Sequence, residues 1–165
     1  RFEQDVADMG GQDGRESMDT TFTVLTDNDK VFSARFETVI AVGSSDSFAK
    51  YYNVDKQKEQ ILTLGDLFQQ NSDYVSAVSA DIIEQMKQQQ AESEDKIYWI
   101  GENAAAEEDE FKSIEPDQSF YITPEGQLVI AFDKYEVAPG YMGTCEFVIH
   151  HSAIEAIVNE NLVTN

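Results

Sequence analysis

The chain has 165 residues, enough for one domain of ordinary size, and its 41% hydrophobic and 11% aromatic residues place it outside the disordered class. Its 32 acidic and 11 basic residues give a formal net charge of −21, which repels nucleic acid and anionic lipid headgroups and leaves no basic stripe for either to bind. A single cysteine, Cys145, excludes an internal disulfide, and apolar runs of about five residues fall far short of the ~20 a membrane span needs.

The sequence opens at Arg1 with no methionine and no signal-like segment, so it reads as a piece of something longer, with any anchor upstream. Phe2, Val6 and Met9 have a weak helical spacing that Gly10 and Gly11 end. Residues 1–19 therefore read as an arm or short helix ahead of a single domain over 20–165, which itself divides into sub-lobes at 20–70 and 71–165. From Thr20, "TFTVLT" and "VFSARFETVIAV" flank "DNDK", whose Asp and Asn suit a tight turn, and the pattern predicts a β-hairpin. "SFAKYYNVD" adds a third strand and makes a meander. Asp27 and Asp29 have the first two spacings of a calcium loop, but Val31 falls where a third oxygen ligand belongs and the glycine and terminal Glu are missing.

Between the second and third strands, Gly43, Ser44, Ser45, Asp46 and Ser47 read as a small polar loop. Small residues permit close approach by a partner, although loops of this composition are commonly plain exposed turns. Thr63 followed by Asp66 predicts a capped helical turn that buries Leu64, Leu67 and Phe68. A longer helix starts near Asp73, with Val75, Val78, Ile82 and Met86 forming its apolar stripe.

"KIYWIG" reads as a strand and "ENAAAEEDEFKSI" as a short acidic helix before Pro116. "FYIT", "PEGQ" and "LVIAFDKYEV" form a second hairpin, with Pro124 and Gly126 in its turn, and "GTCEFVIH" returns as a further strand. Ser152 and Glu155 match a capping box, so "AIEAIVNENL" is expected to close the chain as a helix. Strands and helices are grouped, which predicts an α+β fold of mainly antiparallel β-sheet, meander and hairpins, packed with helices.

Catalytic chemistry finds little support. In a strand, Cys145 and His150 point to opposite faces, and Cys145 and His151 share a face at a span of about 20 Å, so neither pair makes a nucleophilic dyad. The adjacent histidines diverge and lack a third ligand for a metal. Close carboxylate pairs arise by chance among so many acids, and there is no phosphate-binding glycine loop or C-x-x-C pair. No cofactor and no metal are expected, and the chain reads as a binding protein.

Pro139, Gly140, Tyr141 and Met142 lie in the most distinctive stretch, "YEVAPGYMG". This apolar, stiffened loop interrupts strand-like sequence on an otherwise acidic chain. Together with "YYNVDKQKEQILTLGDLF", "FYITPEGQLVIAFDK" and "CEFVIHHSAI", it resembles the extracellular domains of the anti-sigma-V factors of Firmicutes. Those domains belong to a wider family of modules on bacterial cell-surface proteins, some of them beside polysaccharide deacetylases. The likeness runs from about Thr20 to Val163.

The resemblance implies an extracellular receptor for lysozyme on a single-pass membrane protein whose inner segment restrains a sigma factor. Lysozyme binding would let signal peptidase cut the stalk, an intramembrane protease would follow, and the sigma factor would be released. The site implied is Pro139, Gly140, Tyr141 and Met142; Ser44, Ser45, Asp46 and Ser47 are a second candidate surface read from their composition. Many members of the wider family carry a Gly-Ala-His-Gly-like motif near that second surface, and this chain lacks it.

The physical reading agrees with that expectation, since animal lysozymes are basic and an acidic domain attracts them at long range. An uncharged, stiff loop also suits a cleft lined by carboxyl groups better than an acidic loop would. Pro-Gly between strands is equally ordinary turn chemistry, with Tyr141 and Met142 folding back onto the core. The alternative function is a cell-wall glycan-binding or accessory module, and a hydrolase using two of the carboxylates is a third, unsupported class.

Overall fold

The structure is a computed structural model. It describes residues 17–42, 44–104, 106 and 109–164, with Val42, Ser44 and Ser45 described by their backbone only. The expected N-terminal arm lies outside the described residues up to position 16, and the first strand begins at Ser17. The fold is α+β. One antiparallel sheet runs in the order β1 (Ser17–Asp27), β2 (Val31–Val42), β3 (Ser44–Asp55) and β4 (Gln60–Ile61). A second runs β5 (Phe120–Ile122), β6 (Leu128–Phe132) and β7 (Cys145–Val148), also antiparallel. Between them in sequence lies the long helix α1 (Tyr74–Glu92), and a single-turn helix α2 (His151–Ile154) follows β7.

The first hairpin turns where "DNDK" predicts. The Asn28 carboxamide oxygen accepts from the backbone of Lys30 at 2.9 Å and Val31 at 2.8 Å, replacing a backbone turn with a side chain. Thr63 and Asp66 make the expected cap on a 3₁₀ turn over Leu64–Leu67. Both the Thr63 backbone N–H and its hydroxyl donate to Asp66 Oδ2 at 2.7 Å. In α1, Asp73 caps the N-terminus by accepting from Ser76 N, and Val78, Ile82 and Met86 are buried as their spacing demands.

All five residues of β6 are buried. It is the central strand of its sheet and is covered on both faces, which is why "LVIAF" is uninterruptedly apolar whereas β7 alternates, Cys145 and Phe147 in, Glu146 and Val148 out. One hydrophobic cluster takes in Val31 from the first sheet, Leu64 and Leu67 from the 3₁₀ turn, α1, β5 to β7 and the C-terminal Leu162 and Val163.

The two sheets meet through polar side chains. Strand β5 is the edge of its sheet, and its free edge is satisfied by residues of the meander. Thr26 Oγ1 donates to Ile122 O at 2.6 Å and Asn53 Nδ2 to Phe120 O at 2.8 Å, while Ser33 Oγ donates to Asn53 Oδ1 at 2.7 Å. All three polar residues are buried.

Three expectations are corrected. "KIYWIG" is no strand: Trp99 N donates to Val137 O at 2.9 Å and Phe111 N to Trp99 O at 2.7 Å, single bonds to two different segments in place of a ladder. The acidic helix reduces to a 3₁₀ turn over Gly101–Asn103, and Ala105, Glu107 and Glu108 lie outside the described residues. The closing helix starts two residues earlier than the Ser152–Glu155 pattern implies, because Asp81 of α1 accepts the His150 backbone N–H at 3.1 Å and contacts its ring Nδ1 at 2.8 Å. It stops at Ile154, after which Gln69 N donates to Ile157 O and Asn159 N to Leu67 O, both at 2.8 Å, so that Val158, Leu162 and Val163 reach the core.

Two outcomes follow from this architecture. Asn53→Ala removes the donor to Phe120 O and the acceptor of Ser33, both in a buried seam, and is expected to cost about 1–3 kcal/mol in urea unfolding. Thr63→Ala removes the hydroxyl donor to Asp66, the largest cause holding that carboxyl below its ordinary value, the Thr63 backbone bond being the second. The folded-state pKa is depressed, so this stabilisation is present above the unfolded value near ~4 and is lost as pH falls through the folded one. A carboxyl NMR titration should find Asp66 shifted upward in Thr63→Ala, with a smaller acid-dependent loss of stability.

Candidate functional site

The loop carrying Pro139 to Met142 spans the gap between β6 and β7. It starts with a turn closed on itself: Asp133 N donates to Glu136 Oε2 at 2.7 Å and Glu136 N to Asp133 O at 3.1 Å. The other Glu136 oxygen accepts from Gln118 Nε2 at 2.8 Å, and Gln118 also donates to Ala131 O at 3.1 Å. Tyr135 takes a left-handed φ of 69°, rare for a residue with a side chain, and Lys134 Nζ sits 4.7 Å from its ring centre. Val137 and Ala138 are buried and pin the loop to the core.

Beyond that anchor, Pro139 at φ −57° leads into a 3₁₀ turn over Gly140–Met142, closed by Met142 N donating to Pro139 O at 2.9 Å. Gly143 ends the turn at φ 68°, a conformation that favours glycine. Gly140 serves differently. A Cβ there would collide with the Tyr135 ring, so glycine is needed for close packing within the loop. Met142 packs on the core, whereas Tyr141 is 65% exposed and its hydroxyl donates to Asp95 O at 3.2 Å. Of the two open expectations for this pair, folding back holds for Met142 and exposure for Tyr141.

The second predicted surface is corrected in form. Ser44, Ser45, Asp46 and Ser47 are the first residues of β3, facing Val42, Ala41, Ile40 and Val39 of β2 in register. They are strand, and Gly43 lies outside the described residues. The Asp46 carboxylate accepts from Ser47 N at 2.9 Å.

Asp133 links the two surfaces. Its carboxylate accepts from Ala49 N of β3 at 3.0 Å, fastening the β2–β3 arm beside the start of the loop. Burial pushes the Asp133 carboxyl above its ordinary value, the Ala49 bond opposes this, and the neighbouring charge of Asp46 adds to it. Beside the loop, Asp109, Glu110, Glu115 and Glu136 wall a groove of about 320 Å³ floored by Phe111 and Phe132. Lys112 also lines this groove, which reaches the start of the loop at Glu136 and Val137.

A polar cluster that sequence reading missed joins the two sheets further along. The hydroxyls of Tyr51 and Tyr121 donate to Glu146 at 3.3 and 3.0 Å, with their rings stacked 5.8 Å apart. Burial, then the Glu146 charge, pushes the Tyr121 phenol up to about 12 and Tyr51 higher still. Both phenols stay protonated and locked on one acceptor, which suits structure better than chemistry. The Cys145 thiol is buried and likewise pushed up by burial, the state of an unreactive cysteine. His150 is exposed with Nδ1 held by Asp81. Among the described residues, no three of His, Cys, Asp and Glu gather as metal ligands.

Comparison with known proteins places this geometry. The chain is 41% identical over 145 residues to the anti-sigma-V factor RsiV of Bacillus subtilis (strain 168), covering 88% of this chain and 50% of RsiV. It is 25% identical over 114 residues to the peptidoglycan-N-acetylmuramic acid deacetylase PdaC of the same strain, covering 69% of this chain and 23% of PdaC. The chain thus spans half of one curated relative and under a quarter of the other.

Two solved structures share the fold, the family members BF2082 of Bacteroides fragilis NCTC 9343 and PA4972 of Pseudomonas aeruginosa PAO1. Their TM-scores are 0.66 and 0.67 at 15% and 17% identity, over 96% and 99% of this chain and 61% and 71% of theirs. Residues 65–152, which include the Pro139–Gly143 loop and exclude the β1–β3 meander, match the family described as protein of unknown function DUF3298. The chain belongs to the DUF3298 family, and within it is a relative of the anti-sigma-V factor RsiV.

Proposed function

We propose that the chain is the extracellular sensing part of a membrane-anchored anti-sigma factor, that it binds lysozyme, and that it inhibits the enzyme by seating the Pro139–Met142 turn in its cleft. The observation that carries the reading is the 41% identity to an anti-sigma-V factor across a region containing a stiff apolar turn with one exposed tyrosine. In this reading the role is binding without catalysis. The sigma factor, signal peptidase and intramembrane protease act on segments of the full-length protein outside this chain, and the location is the outer face of the cell membrane. No helix among the described residues is long and apolar enough to cross a membrane.

The physical support has two ranges. The −21 charge draws a basic protein from beyond contact distance and accelerates encounter. At contact, Tyr141 offers a large rigid side chain with little rotamer entropy to lose, held by the turn and by the Asp95 carbonyl. Asp46 and Ser47, fastened through Ala49 and Asp133, form a second contact edge together with Ser44 and Ser45. The likeness to a peptidoglycan deacetylase favours a second reading, a wall-glycan module.

Calorimetric titration with a basic animal lysozyme at low and high salt separates the two. One-to-one binding that weakens as salt rises supports the receptor, and binding of wall fragments with little salt dependence in place of lysozyme supports the glycan module. Tyr141→Ala should weaken lysozyme binding at least tenfold, about 1.4 kcal/mol, with the fold intact because the side chain is exposed. Gly140→Ala should also weaken binding by displacing the Tyr135 ring, and adding Tyr135→Ala should restore part of the loss in a double-mutant cycle.

A further inference from the structure

The outer edge of β3 is held by side chains in place of a neighbouring strand. Leu62 N donates to Asn53 O at 2.8 Å, so the backbone groups of Asn53, and of every second residue before it, face away from β2. Strand β4 is two residues long and pairs with Val54 and Asp55, which leaves the edge ahead of Asn53 uncovered. The second half of the chain supplies the ties instead. Asn53 Nδ2 donates to Phe120 O of β5, the Tyr51 hydroxyl to Glu146 of β7, and Ala49 N to the Asp133 carboxylate just past β6. Among the described residues, Ala49 carries the last of these ties on the way back to Ser44, since Ser47 N is taken by its neighbour Asp46. Ala49 is buried, so without Asp133 its N–H would be a desolvated donor with no acceptor.

Asp133 fills this position without a counter-charge. It is half-buried, and no ion pair reaches it among the described residues. The charged groups on the elements packed against it are Asp46 on β3, Glu37 opposite Ala49 on β2, Glu146 on β7 and Glu136 in its own turn. Glu37 is paired with Arg35, Glu146 is taken by the two tyrosines, and Lys134 has its Nζ over the Tyr135 ring. A carboxyl group accepts from Ala49 N in either charge state. Burial and the charge of Asp46 disfavour the anion alone.

We propose that Asp133 is a proton-tightened latch: neutral, it holds Ala49 and the β2–β3 arm firmly beside the β6–β7 loop, and ionised, it holds them loosely. Burial raises the carboxyl above its ordinary value, the Ala49 bond opposes this, and Asp46 adds to it. The stabilisation of the closed arm is therefore full below the ordinary Asp value near ~4 and fades as pH rises through the raised folded one. The latch sets the turn and the arm against each other independently of the partner they meet.

Amide exchange of Ala49, followed by NMR with α1 as internal reference, tests this. Relative to α1, Ala49 should be at least about twofold better protected below the Asp133 titration than above it. Asp133→Asn keeps an acceptor and loses the charge, so it should hold Ala49 protected at both pH values with no step. Asp133→Ala should lower the protection at least about tenfold at both. If Asp133→Ala unfolds the protein, as loss of α1 protection would show, the pH step in the parent and its absence in Asp133→Asn decide. The proposal is overturned if the parent shows no step or loses protection as Asp133 takes up its proton. A step that persists in Asp133→Asn overturns it too, as does Ala49 exchange that a folded Asp133→Ala leaves unchanged.

Discussion

The arrangement of the molecule depends on a seam of three buried polar side chains, Thr26, Ser33 and Asn53, which complete the free edge of β5. A sheet edge turned inward without partners would leave backbone donors and acceptors desolvated, at about 1–3 kcal/mol each. The meander supplies those partners from side chains, so the two sheets join without forming one ladder. That geometry lets β3 run past the second sheet and brings Ala49 to Asp133. It also leaves Met18, Phe22, Phe36 and Val39 of the meander exposed.

The same economy shapes the loop. Few of its backbone groups can enter a ladder, so side chains and short turns satisfy them: Glu136 under Asp133, Gln118 under Glu136, Pro139 O under Met142. Buried Val137 and Ala138 anchor one end, and Cys145 begins β7 at the other. The left-handed Tyr135 backbone is tolerated because its ring occupies the space that Gly140 leaves. The loop is shaped by this fit between two residues as well as by hydrogen bonds, and the Tyr141 hydroxyl donates to Asp95 O.

Strong local signals in the sequence read true. The Asn28 turn, the Thr63–Asp66 cap and the Val78–Ile82–Met86 stripe each rest on interactions within four residues of one another. The failures share a cause. Ser152 and Glu155 fit a capping box, but Asp81, far away in sequence, captures His150 and sets the helix start instead. "KIYWIG" has strand composition and no strand partner, and Ser44 to Ser47 have loop composition inside a paired strand. The burial of Ser33 and Asn53 was not legible, because nothing local says that a second sheet lies against them. The Pro-Gly-Tyr stretch was legible as a distinctive apolar turn, whereas Gly140's need for the Tyr135 ring was not, since it depends on a backbone angle five residues earlier.

Charge and shape divide recognition between them by distance. Screening cuts the field of exposed carboxylates within about 8–10 Å at ordinary ionic strength, so the −21 can gather basic proteins but distinguishes poorly among them. Discrimination has to come from what touches, and the turn over Gly140–Met142 is an uncharged element on this acidic chain. Solved family members keep this fold at 15–17% identity, so the fold itself cannot specify a partner. The shared fold leaves differences between members to the side chains and connections it carries, and in this chain the Asp133–Ala49 bond fixes the start of the β6–β7 connection against the β2–β3 arm.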